Sequence, residues 1–272
     1  MNLYANLYDL KSWLCLTGTS DDALLLAILE AVSREADAYC GRHFFTETAT
    51  RYFDGSRGTT LLIDDVLSVS ALTTDSELDN TFDGETWVAA SDYVLGPDNT
   101  WPRWKVFSLI GVGGDYSWTP RERYIKIVGV WGYGAGRNAD PWTATAITGT
   151  VADTTGTSLT LSAAGTVRAG HTIKIGTEQL YVSAVSTTTA TVTRGVNGTT
   201  AAAHTAVAIS LAEYPANLEQ SVTWFAAETY KNRAYAGFVA ESVGEHRVQL
   251  QAPQQMIEQQ FRLLGSLRRV TV

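Results

Sequence analysis

The chain has 272 residues, 45% of them hydrophobic and 18% charged, which is enough apolar material for one large or two modest packed domains. Against 20 basic residues stand 28 acidic ones, and the formal charge of -8 disfavours bulk binding of nucleic-acid phosphates unless the basic residues are concentrated somewhere. The opening MNLYANLYDLKSWL lacks the basic stretch and apolar run of a secretion signal, and no segment approaches about 18 uninterrupted apolar residues, so neither a leader nor a membrane span is expected.

Residues 1 to 45 read as helical. A short helix is expected around Leu7 to Leu14, followed by a longer one from Asp21 to Gly41, where Leu25, Leu29, Val32, Ala36 and Tyr39 recur every three or four residues. Ser20 suits its N-cap, the two aspartates favour the positive helix start, and Gly41 suits the exit. Cys15 and Cys40, the only cysteines, lie in apolar helical contexts far from any CxxC spacing and are expected as reduced core residues.

From His43 to Gly134 the period shortens to two. ATRYFDG, TTLLIDDVLSVSALTT, TWVAASDYVLG and RYIKIVGVWGYG are rich in β-branched and aromatic residues and broken by Asp, Asn, Gly and Pro, which indicates a small, mainly antiparallel sheet. Asp64-Asp65 fits a solvated turn within the second of these. The segment GPDNTWPRWKVFSLIGVGGDYSWTPRER is expected as a long loop or irregular hairpin.

Composition changes again at Thr143. The next 70 residues, 143–212, hold only five charged residues (Asp153, Arg168, Lys174, Glu178 and Arg194), and SLTLS, HTIKIG, EQLYVSAV and TATVTRG alternate like short strands. A separate all-β module, a small barrel or sandwich, is expected there. Helix returns from Pro215 to Gly237, with Leu218, Val222, Phe225 and Ala226 on one stripe, and Met256, Ile257, Phe261 and Leu264 fall at helical spacing near the end.

Motifs for chemistry are missing from the sequence. Gly132, Gly134 and Gly136 follow a strand, but Arg137 to Pro141 form a turn with no helix behind it to receive a phosphate. His43, His171, His204 and His246 are scattered, without HExxH or a carboxylate at ligand spacing, and there is no GxSxG. No catalytic residue, metal site or cofactor is expected. Trp101, Trp104 and Trp118 fall in the loop-rich middle and suggest a protein interface rather than a glycan platform. Arg262, Arg268 and Arg269 gather in a C-terminal segment with few acids, which suits docking onto an acidic protein surface.

The order of these segments carries a likeness. YDLKSWLCLTGTSDDALLLAILEAVSREADAYCGRHF leading into TRYFDG, LLIDDVLSVSALTTD, DYVLGP, IVGVWGYG and then YPANLEQSVTWFAAETYKNR resembles the head-tail connector proteins of tailed bacteriophages, also called adaptors or head-completion proteins. The likeness covers residues 3–141 and 213–237. The segment between them is similar to a small β module that recurs in phage structural proteins, and it departs from the minimal connector pattern.

The resemblance implies an α+β class: a helical connector core with a small antiparallel sheet (1–142 and 213–250), an inserted all-β domain (143–212) and a C-terminal arm (251–272). It implies a non-enzymatic structural virion protein of the neck, assembled in the bacterial cytoplasm. About twelve copies would form a ring beneath the portal, joining capsid to tail. Its partners would be the portal protein and a tail-proximal stopper or tail terminator, with double-stranded DNA passing through the lumen without sequence-specific binding and no membrane involved. The arm residues Met256, Ile257, Phe261, Arg262, Arg268 and Arg269 would dock on the portal. The alternative is a carbohydrate-binding or adhesin-type phage protein that uses the β module and its aromatics.

Overall fold

The structure, a computed structural model, describes residues 2–77, 79–82, 86–109, 117–233, 240–243, 246–249 and 261–269, and of 240–249 the backbone alone. Along the chain run α1 (Leu7–Leu14), α2 (Asp22–Cys40), β1 (Glu47–Phe53), β2 (Thr60–Thr74), β3 (Thr86–Trp87), β4 (Tyr93–Gly96), β5 (Arg103–Ser108) and β6 (Ile125–Trp131). There follow β7 (Trp142–Val151), β8 (Ser158–Leu161), β9 (Thr172–Ile175), β10 (Glu178–Ser186), β11 (Thr189–Thr193) and β12 (His204–Ala212). The chain then forms α3 (Ala216–Asn232), β13 (Ala240–Val243), β14 (His246–Gln249) and a 3-10 turn (Arg262–Leu267).

Two compact units result. One comprises 1–43, 143–196 and 200–272, the other 44–142 and 197–199. The helices therefore share a unit with the threonine-rich barrel, and the sheet stands as the other unit.

In the helical part of the first unit, α1 starts at Asn6, whose side chain accepts the Asp9 N–H at 3.0 Å, and ends at Cys15 in the left-handed region. Leu25, Leu29, Val32, Ala36 and Cys40 of α2 are buried, and Gly41 takes the left-handed exit with φ +64. The N-cap of α2 is Asp21 rather than Ser20, with no side-chain cap bond. Helix α3 packs on both α1 and α2, so the first and last long helical segments share one core, with Leu218, Val222 and Ala226 facing inward. Of the two cysteines only Cys40 is a core residue; Cys15 is exposed where α1 ends, and both are free.

The barrel closes in the order β10-β11-β8-β7-β12-β9 around Leu159, Ile173, Ile175, Leu180, Val182 and Ile209. Closure leaves no open edge, which lets a short, charge-poor module keep its hydrogen bonds satisfied. The N-terminal segment lies against it: Leu7 N–H donates to the Ala169 carbonyl at 3.1 Å, the Thr172 hydroxyl donates to Asn2 Oδ1 at 3.3 Å, and the Tyr4 and Tyr214 rings meet edge to face at 4.9 Å.

The sheet unit is antiparallel, in the order β1-β6-β2-β5-β4, with β3 paired to β2. Its core gathers Ile63, Val66, Leu72, Val106, Ile125, Ile127 and Trp131, with Trp87 and Trp118 stacked at 4.6 Å. The glycines of WGYG end β6. Gly132 adopts φ +127 and lies so close to the Phe45 carbonyl that a Cβ there would fall 2.0 Å from its oxygen, while its N–H donates to the Asp65 carbonyl at 2.9 Å.

The expected α+β class with a helical connector core is overturned. Strand residues outnumber helical ones among the described residues, and the helices amount to three α-helices and a 3-10 turn beside a closed barrel and a sheet. Two sequence segments also differ from expectation. The run 60–74 is one strand of 15 residues, in which bulges rather than a turn absorb Asp64-Asp65; Asp65 is buried, and Asp64 pairs with Arg51 at 2.6 Å. The expected loop after Gly96 contains β5, paired with both β2 and β4.

Candidate assembly surfaces

Residues 261–269 of the C-terminal segment pack on the helices of the first unit. Phe261 is fully buried, 5.5 Å from the Tyr39 ring and edge to face with Phe225 at 5.2 Å, and Leu264 and Leu267 are buried with it. Arg269 N–H donates to the Cys40 carbonyl at 2.8 Å and Asn217 Nδ2 to the Leu263 carbonyl at 3.1 Å, which ties the segment to the ends of α2 and α3. Phe261 thus acts as an intramolecular anchor. What the segment offers outward is Arg262, Leu263 and Arg268, the last with its guanidinium 5.2 Å from the Tyr39 ring. Met256 and Ile257 lie outside the described residues.

Of the three tryptophans read as interface candidates, Trp118 is 1% exposed and belongs to the sheet core. Trp101 and Trp104 are half-buried in the same unit, each covered by a cation: Arg103 lies 4.7 Å from the Trp101 ring and the Lys105 ammonium 4.3 Å from the Trp104 ring. The larger outward aromatics are on α1. Tyr8 and Trp13 are 54% and 53% exposed, and Trp13 sits 5.8 Å from Trp224 of α3. Leu24 on α2 and Leu263 are exposed too.

Between α1 and the barrel runs a groove of about 630 Å³. Leu7, Leu16, Val167 and Val185 line it together with Lys11 and Arg168, and no acidic residue does. Lys11 is held by Asp22 at 2.6 Å, whereas the Arg168 guanidinium lies 3.5 Å from the Tyr8 ring and forms no ion pair among the described residues. On an acidic chain this is a locally cationic, partly apolar surface.

The most concentrated polar cluster is in the barrel. Glu178 is wholly buried at the start of β10, and its oxygens accept from Arg194 Nε and Nη2 (2.7 and 2.8 Å), from the Gly195 and Ala202 N–H groups (3.0 and 3.1 Å), and contact His204 Nε2 at 2.8 Å. Burial alone would push this carboxyl up, but the bonds from Arg194, Ala202, His204 and Gly195 outweigh it and hold the pKa at about 2. With its acceptor capacity filled, the carboxylate clips the 194–204 connection to the barrel wall and has no lone pair directed at a substrate. Glu178 and Arg194 are two of the five charges in a long apolar alternation, and that scarcity was the available signal for a buried pair.

Among the described residues, no group of three or more His, Cys, Asp or Glu side chains is placed to hold a metal ion, and no helix is long and apolar enough to cross a membrane. No protein-family model matches the chain, and no curated protein matches it significantly.

Proposed function

We propose that this chain is a structural virion protein, a head-tail connector that builds the neck ring beneath a phage portal and surrounds the DNA channel. The observation that carries this reading is the ordered run of motifs from YDLKSWL through WGYG to YPANLEQSVTWF, at residues 8–14, 131–134 and 214–225. The proposal concerns a mostly β connector, in which assembly depends on surfaces rather than on a helical core.

Three features support it. Exposed Tyr8, Trp13, Leu24 and Leu263 are large apolar groups of the kind that interfaces with other subunits cover. Exposed Arg262 and Arg268, and the cationic groove beside Arg168, suit docking onto an acidic partner surface. The sheet unit holds 14 acidic against 8 basic residues and so carries most of the net negative charge, as a wall that lets DNA slide past requires.

A carbohydrate-binding reading would draw on aromatics of the barrel module. Tyr181 is the one aromatic residue in 143–212 and is 3% exposed, which leaves the module no stacking platform and disfavours that alternative. Co-sedimentation of the full chain with the portal protein of the same genome tests the proposal. The wild type is expected to bind, and Arg262→Glu/Arg268→Glu to bind at least tenfold more weakly while melting as the wild type does. Absence of binding by the wild type overturns the connector reading, and full binding by the double variant removes the arginines from the interface.

A further inference from the structure

Strand β1 ends the sheet on one side and β4 on the other. The β4 edge is short and stops at Gly96-Pro97, a blunted end. The β1 edge is different: seven residues, ETATRYF, with no proline and no lysine. Thr48 N–H points away from β6, because it donates to the Asn197 carbonyl at 2.9 Å. Amide direction alternates along an antiparallel strand, so Thr50 and Tyr52 present their N–H and C=O groups outward as well. Neither has a backbone partner on that side among the described residues, and both side chains are exposed. Beside them the Arg123 guanidinium lies 4.1 Å from the Tyr52 ring and forms no ion pair among the described residues.

A second open feature has the complementary form. Among the described residues, strands β13 and β14 pair with each other alone, Ala240 opposite Gln249 and Val243 opposite His246, and make a sheet of two strands. Two-stranded sheets in water are marginal, and among the described residues each of these strands has no ladder partner on its other side.

We propose that the β13–β14 hairpin of one copy adds to the β1 edge of a neighbouring copy, pairing along Thr50 and Tyr52, and that this strand addition is the subunit contact of the ring. The donor and acceptor are different patches, so the contact is head to tail, and repetition closes a ring instead of stopping at a symmetric dimer. This rests on the connector reading above and names the surface through which it operates.

The test uses two variants of the full chain and measures mass in solution. Thr50→Pro removes one outward N–H that the ladder of the chain itself does not use, so the sheet is expected to tolerate it. In the second variant a Gly-Ser linker replaces 240–249. Each variant alone is expected to lose at least tenfold of the ring population that the wild type forms, with an unchanged circular-dichroism spectrum. Mixed in equal amounts they are expected to form a capped dimer of one copy each, because Thr50→Pro still supplies a hairpin and the other variant still supplies an edge. If both variants form rings as the wild type does, the hairpin contact is overturned while the ring reading stands. A wild type that remains monomeric at every concentration, alone and with portal protein, overturns both.

Discussion

Glu178 shows how one side chain can bear on the stability of a whole barrel. Its carboxyl has an ordinary value of 4.5 and is held at about 2 in the folded chain. A depressed carboxyl stabilises the fold at pH values above the ordinary one, and that contribution is lost as pH falls from about 4.5 toward 2. Asp37 runs the other way: burial first, opposed by bonds from Tyr4 and Arg34, raises it to about 6, so its contribution is full below the ordinary 3.8 and is lost as pH rises through 6. Comparing denaturation of the wild type and Glu178→Gln across pH 2 to 7 isolates the glutamate. The gap is expected to be flat above pH 5 and to close toward pH 2; a gap that widens in acid would contradict the assignment. Glu178→Ala, which leaves Arg194 buried without its partner, is expected to cost about 3–5 kcal/mol at neutral pH. Scarcity of charge was the one sequence signal for this pair; which groups meet was not legible, because Glu178, Arg194 and His204 are brought together by strand closure and not by motif spacing.

The elements were legible where one periodicity ran unbroken. Leu25, Leu29, Val32 and Ala36 mark α2 because their spacing matches 3.6 residues per turn, and Leu218 and Val222 do the same for α3. Alternation also revealed the β character of 143–212, although closure into a barrel depends on long-range pairing that periodicity does not encode. Legibility failed at β2, since a bulge inserts residues without changing composition and an aspartate pair there resembles a turn. It failed again at β5, where prolines and tryptophans flank a six-residue strand. In the terminal segment, spacing alone cannot tell an apolar stripe that docks on its own chain from one that awaits a partner, and the packing of Phe261 was not legible there. Phe261→Ala tests that docking. Emptying the space between Tyr39 and Phe225 is expected to cost about 3–5 kcal/mol in chemical denaturation; a cost below about 0.5 kcal/mol would mean that the segment stands free.

At the scale of the molecule, one unit combines α1, α2 and α3 with a closed barrel, and the other is an acidic sheet whose β1 edge has, beyond Thr48, no backbone partner among the described residues. Outward tyrosine, tryptophan and leucine on the helices, a cationic groove and the β1 edge beyond Thr48 are surfaces suited to assembly, and under the proposed connector role they would serve neighbouring copies and a portal. The barrel keeps its own apolar core beside the helices, and the sheet unit concentrates the negative charge. Native mass spectrometry of the full chain over rising concentration, alone and with portal protein, tests the central claim most directly. The account expects a monomer that gives way to a closed species of about twelve subunits, with few intermediates. A stable symmetric dimer, or a monomer under all of these conditions, would contradict it.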